Sequence, residues 1–283
     1  MPELAGVRNV IDTIIDTKIR QMGGEIRKQD RTDEIWIIDS RLAFANIPDA
    51  FAVRLTCSSQ IAGKRLMEDK TRGEEDKYES IEEATKEREK RREGEIARYK
   101  ARYGVDLADE NNYNMIIDTS YSSVEDISQV ILDGLNRYVE GKYVPKKWAS
   151  PKIFVPTQSI RDTWDGFTNI KDVAKSIKEN GYDMNQEIST IEVDGIKYLL
   201  DGHHRNFAVA MNGNTLVPYN QLAKDDENIP GQKNTARMMA LGANKRDLWD
   251  HEELFDDKQN GIQFSYNRIY PGIFEKGKQE FCL

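Results

Sequence analysis

Three short runs in the first half of the chain are apolar almost without a break: Ile35-Trp36-Ile37-Ile38, Phe51-Ala52-Val53-Arg54-Leu55 and Met115-Ile116-Ile117. Such runs suit strands buried on both faces, as in a parallel sheet. Between the second and third lies a charged stretch from Ser59 to Tyr103. Its residues 82–93 combine strong helix formers, opposite charges four apart and almost no apolar face, which predicts an exposed, mobile helical pair. The second half alternates more. Lys152–Ile160 reads as a short strand running into a turn. In Asn169–Asn180, Ile170, Val173, Ala174 and Ile177 recur at helical spacing, and Gly181 fits a helix stop. Glu187–Val193 and Ile196–Leu200 read as two strands joined at an Asp194-Gly195 hairpin turn. A helical run Asn206–Met211 follows, stopped by Asn212-Gly213-Asn214, and Leu216–Tyr219 reads as another strand.

Between the strand ending at Leu200 and that helical run stand Asp201-Gly202-His203-His204-Arg205, which hold two of the chain's three histidines. A strand, a tight turn and a helix start is a recipe for anion binding, because the turn's N–H groups and the positive helix end converge on one spot. Gly202 lets backbone approach phosphate oxygens, and Arg205 offers a planar fork. His203 and His204 offer hydrogen bonds to phosphate. Neighbours on a turn rarely both face one ligand, so one of the two is expected to point into the core. Asp201 suits a metal, a histidine partner or a plain helix cap.

Composition narrows the classes. The chain has 283 residues, 38% apolar and 32% charged, with a net charge of −8. That balance argues against strong non-specific binding to a nucleic-acid backbone. No run of eighteen apolar residues occurs, and the opening Met1–Gly6 lacks a basic start with an apolar core, so neither a membrane helix nor a signal peptide is expected. Cys57 and Cys282 imply no disulfide framework or zinc site. A reduced cytoplasmic protein is the expectation.

Asp39-Ser40-Arg41-Leu42-Ala43, Pro48–Thr56, Arg65, the lid-like segment 88–103, Arg98–Asp106 and Asp118-Thr119-Ser120 together resemble the cytidylate kinase family over roughly residues 8–138. The resemblance implies a kinase-like parallel sheet in which Arg41, Arg65, Arg88 and Arg91 match nucleotide- and phosphate-contacting positions. The family's P-loop is missing: no G-x-x-x-x-G-K-[ST] occurs in the sequence. Without its backbone cradle, lysine and Mg²⁺-binding hydroxyl, this region is not expected to work as a monophosphate kinase. The missing central strand should leave two strands without a neighbour. Either the sheet closes differently, or a separate P-loop-bearing chain supplies the piece, or the product is truncated. The four arginines then form a relict or docking surface.

The order strand, helix, strand, hairpin strand, Asp201–Arg205, helix, Gly213, Val217-Pro218 resembles the ParB/sulfiredoxin-like fold over residues 151–224. The Asp-Gly-His-His-Arg turn is most similar to the branch that phosphorylates free serine. That resemblance implies bound ATP or ADP (CTP in the chromosome-partitioning branch), Mg²⁺, and a small hydroxyl-bearing acceptor. The serine-kinase branch carries a glutamate shortly after the first strand. Here Thr157–Asp165 holds none; Asp162 or Asp165 stands in as the base, and Thr157 and Gln158 are candidate nucleotide contacts.

The chain is thus expected to be an α/β protein in two parts: a P-loop-less kinase-like sheet domain over 1–140, then a small α+β ParB/sulfiredoxin-like domain over 151–224. A linker spans 141–150. An extension over 225–283 packs on the second domain, with a helix over 234–247, Trp249, His251 and Phe255 as packing residues and an edge strand over 264–270. The leading function is a nucleotide-dependent phosphotransferase, with Asp201, His203, His204, Arg205 and Asp162 catalytic. The alternative is a CTP-binding or DNA-associated module without metabolite kinase activity; DNA is not favoured.

Overall fold

A computed structural model describes residues 2–28, 34–69, 78–157, 170–244, 256–257 and 262–263. It is a mixed α/β structure. The chain divides into two compact units: residues 1–54 with 59–114, and residues 55–58 with 115–283.

The first unit is mainly helical: α1 Pro2–Ile26, α2 Ala43–Asn46, α3 Ser59–Glu68 and α4 Ile81–Tyr103. Helix α4 begins at Ser80, whose hydroxyl accepts from Glu83 N–H, and ends at Gly104 in the left-handed region, as capping rules lead one to expect. The charged stretch does form a helical pair. Its contact is close because α3 presents Gly63, where a β-carbon would lie 2.2 Å from Thr85 Oγ1 and 3.0 Å from the Ile81 carbonyl. Ala84 and Tyr99 are the buried residues of α4. The segment Ile35–Ile38, expected as a strand, is not one: Ile35, Trp36 and Ile37 are 63%, 50% and 92% exposed. An apolar run supplies side chains for a sheet interior but no backbone partner, and no strand pairs with it among the described residues.

The second unit carries a seven-stranded sheet in the order β1-β2-β3-β7-β5-β6-β4. The strands are β1 Val53–Thr56, β2 Met115–Asp118, β3 Lys147–Ala149, β4 Phe154–Pro156, β5 Ile188–Val193, β6 Ile196–Asp201 and β7 Val217–Lys224. The first two residues of β1 belong to the other unit. Helices α5 Val124–Val139, α6 Ile170–Asn180, α7 His203–Met211 and α8 Ala236–Asn244 flank the strands in sequence. Pairs β2–β3, β5–β7 and β4–β6 are parallel, while β3–β7 and β5–β6 are antiparallel.

This corrects the division into two sheets separated by a linker. Residues 147–149, inside the expected linker, are β3, parallel to β2 on one side and antiparallel to β7 on the other. Trp148 and Ala149 are buried, and the Trp148 indole N–H donates to Pro145 O at 3.0 Å. Strand β2 has β1 on one side and β3 on the other.

Side-chain alternation covers the far half of the sheet on both faces. Phe154, Ile188, Leu199, Val209 and Val217 form one cluster with Ile177 against it. Val155, Ile191, Tyr198, Ala236 and Ala240 form the other. The β5–β6 hairpin turns at Asp194 (φ 50°) and Gly195 (φ 78°), the pair of positive φ values a two-residue hairpin needs. Arg237 holds this turn, donating from Nη1 and Nη2 to the Asp194 carboxylate at 2.8 and 3.0 Å.

Gly63→Ala tests the helix pair. Alanine normally stabilises a helix interior by about 0.5–1 kcal/mol. Here the new methyl meets backbone as well as Thr85, so a net loss of about 1–3 kcal/mol is expected in denaturant unfolding followed by circular dichroism.

Candidate functional site

The strand-to-helix junction after β6 gathers most of the candidate residues. Strand β6 ends at Asp201, Gly202 takes φ +88°, and α7 starts at His203. A β-carbon at Gly202 would lie 2.7 Å from Ile188 Cγ2 and 3.1 Å from Arg205 Nη2. Both the left-handed backbone and the packed isoleucine below it therefore require glycine. Asn206 N–H makes the first turn's bond to Gly202 O at 2.9 Å, and no side chain caps the helix start. The first helical N–H groups are thus turned towards whatever lies beyond the strand end.

The two histidines divide, one core and one not. His203 is 3% exposed, and its Nε2 accepts from Thr157 N–H at 3.2 Å. An accepting Nε2 places the ring proton on Nδ1. Burial pushes its pKa down to about 4, with Asp201 opposing and His204 assisting. His203 is therefore a neutral tether between the end of β4 and the start of α7. His204 Nε2 is buried without a hydrogen-bond partner. Thr157 is buried too, and its hydroxyl donates to Leu199 O at 2.7 Å.

Arg205 is also held within the protein. Nη1 donates to the carbonyls of Gln186 and, at 3.1 Å, Glu187; Nη2 donates to Asp201 Oδ2 at 3.0 Å. The free phosphate fork expected from sequence is thus engaged, because the loop entering β5 offers carbonyls at its reach. Asp201 keeps an exposed side chain (74%). Gln158, Asp162, Asp165, Trp249, His251, Phe255 and residues 264–270 lie outside the described residues.

Sequence reasoning missed the loop that faces the turn. Tyr182 OH donates to Gln186 O at 2.7 Å, and Tyr143 OH donates to Glu187 Oε1 at 2.5 Å. Burial above all lifts both phenols to about 12. Neither tyrosine stands in a motif; only the fold brings them here. For a metal, no group of three His, Cys, Asp or Glu side chains converges among the described residues. The single carboxylate of Asp201 fits a Mg²⁺ ion that arrives with substrate phosphates and keeps its waters.

The four arginines of the first unit are arranged otherwise. Arg41 and Arg91 pair with Glu95 at 3.1 and 3.6 Å, Arg88 has a buried Nη1 without a hydrogen-bond partner, and Arg65 lies in the last turn of α3.

No family model matches the chain. It is 28% identical over 123 residues to an S-adenosylmethionine-dependent nucleotide dehydratase of Lacinutrix mariniflava, covering 44% of this chain and 23% of that protein. It is 33% identical over 95 residues to a cytidylate kinase of Pyrobaculum neutrophilum, covering 33% of this chain and 47% of that protein. The chain thus spans less than half the length of either relative. Among solved structures, protein Atu1540 of Agrobacterium tumefaciens matches at 17% identity with a TM-score of 0.23, covering 43% of this chain and 55% of that one, too slight a likeness to bear on the fold. No helix among the described residues is long and apolar enough to cross a membrane.

The buried histidine gives a pH prediction. Its folded pKa of about 4 lies below the ordinary 6.5, so the unfolded chain binds the proton first. This contribution is fully present above pH 6.5 and is lost as pH falls towards 4, with roughly 3 kcal/mol as its upper bound. His203→Gln keeps an acceptor for Thr157 N–H but cannot titrate. Urea unfolding between pH 7 and pH 4 is expected to show a shallower loss of stability for the variant than for the wild type.

Proposed function

We propose that the protein binds a nucleotide by its phosphates at the Gly202–Arg205 turn and transfers a phosphoryl group from ATP or ADP to a small hydroxyl-bearing acceptor such as free serine. The observation that carries this reading is Gly202 at φ +88°, which starts α7 at the end of β6 with no side-chain cap on its first N–H groups. Backbone N–H groups at such a start, with the helix dipole behind them, favour phosphate oxygens. His204 adds a buried nitrogen that still needs a partner. The two relatives are, by name, a nucleotide dehydratase and a cytidylate kinase, which supports a nucleotide as ligand. The resemblance of residues 151–224 to the ParB/sulfiredoxin-like fold supports the choice of site.

In this reading the acceptor's hydroxyl oxygen bonds to the terminal phosphorus as the bridge to the leaving phosphate breaks. The hydroxyl proton passes to a carboxylate, Asp201 or Asp162; Asp201 would hold a Mg²⁺ ion, which would supply charge that offsets the phosphates. The Arg41, Arg65, Arg88 and Arg91 group serves as a relict or docking surface, open to a P-loop-bearing chain. A second reading, a CTP-binding or DNA-associated switch without transfer, draws on the engagement of Arg205 within the fold, which removes one cation from the phosphates. It requires a salt-dependent shift of duplex DNA or CTP binding without product.

Calorimetry with ATP or ADP and Mg²⁺, followed by product analysis with candidate acceptors, tests the proposal. The wild type is expected to bind and turn over nucleotide. His204→Ala should weaken binding by about tenfold, and Gly202→Ala by more. Absence of nucleotide binding by the folded wild type contradicts the proposal.

A further inference from the structure

Three segments meet at one side chain. Arg205 Nη1 donates to the Gln186 and Glu187 carbonyls at the entry to β5, Nη2 donates to Asp201 at the end of β6, and the residue itself sits in the first turn of α7. Only 23% of its side chain is exposed. Tyr182 OH shares the Gln186 carbonyl. Asp201, by contrast, is 74% exposed, with one oxygen held by Arg205. A guanidinium waiting for phosphate would keep its fork open. This one has three hydrogen bonds to the protein already in place, two of them to backbone carbonyls of the loop entering β5.

We infer that Arg205 is a positioning residue: it aims the Asp201 carboxylate and fixes the β5 entry beside the turn, and the nucleotide's phosphates are met without it. This rests on the nucleotide reading of the same turn. A planar fork spans two carbonyls and a carboxylate at once, and a lysine, being a point charge, does not. Removing the fork should let Asp201 swing free while leaving the Gly202 backbone and the helix N–H groups in place.

The test is a double-mutant cycle on the full chain, with Arg205→Gln and Asp201→Asn singly and together, and Arg205→Lys beside them. In nucleotide-free protein, Arg205→Gln is expected to lower Tm by about 5 °C, because its bonds exist before any ligand binds. The Kd for ATP or ADP should change less than about threefold, while kcat with the acceptor falls roughly tenfold, and lysine should not restore it. In the Asp201→Asn background, Arg205→Gln should cost nothing further in kcat, since the one acts through the other. A rise in Kd of about a hundredfold with an unchanged Tm would make Arg205 a phosphate ligand and overturn the inference. So would additive losses in kcat. Absence of nucleotide binding by the wild type overturns the functional reading itself, whereas additivity in an active enzyme overturns only the role of Arg205.

Discussion

Everything proposed for this protein hangs on the backbone at Gly202. The residue turns the chain through the left-handed region between β6 and α7, and Ile188 fills the space a side chain would take. That close approach seats the helix start directly over the beginning of β5. From it follow the uncapped N–H groups, the inward His203, and the reach of Arg205 to the Gln186 and Glu187 carbonyls. With a β-carbon, either the isoleucine or the turn must move, and the cluster of Phe154, Leu199 and Val209 beneath it is close-packed.

The junction is braced from two sides by polar bonds that do different jobs. Thr157 N–H to His203 Nε2 joins the end of β4 to the helix in a buried setting, where an unpaired amide would be costly. Arg205 joins β5 and β6 on the more exposed side, where Asp201 stays open to solvent. The buried brace stabilises, and the exposed one leaves a carboxylate available for chemistry. A neutral buried histidine beside an unpaired one is how the repeated residue in the sequence comes to serve two roles.

Much of this half was legible from local rules. The Asp194-Gly195 hairpin, the stripe of Ile170, Ala174 and Ile177, Gly181 and Gly213 at helix ends and the division of the two histidines all rest on turn chemistry or periodicity, and the structure has them. What local rules cannot supply is partnership. Ile35–Ile38 has the apolar content of a buried strand but pairs with none among the described residues, whereas Lys147–Ala149, basic and flanked by prolines, is a strand because β2 and β7 offer it two edges. The same limit applies at the site. Arg205 alone looks like a phosphate fork; the carbonyls that engage it lie 18 and 19 residues away, in a loop that carries no motif. Glu187 and Tyr143 escape notice for the same reason, being 44 residues apart.

The central claim is that nucleotide phosphates rest on the backbone amides at the start of α7. Backbone ¹⁵N–¹H spectra of the labelled protein, titrated with ATP or ADP and Mg²⁺, test it most directly. The account predicts that the largest shifts fall on the amides of Gly202, His203, His204 and Arg205. Shifts that leave these amides still and appear instead around Arg41, Arg88 and Arg91, or no shifts at all at saturating nucleotide, would contradict it.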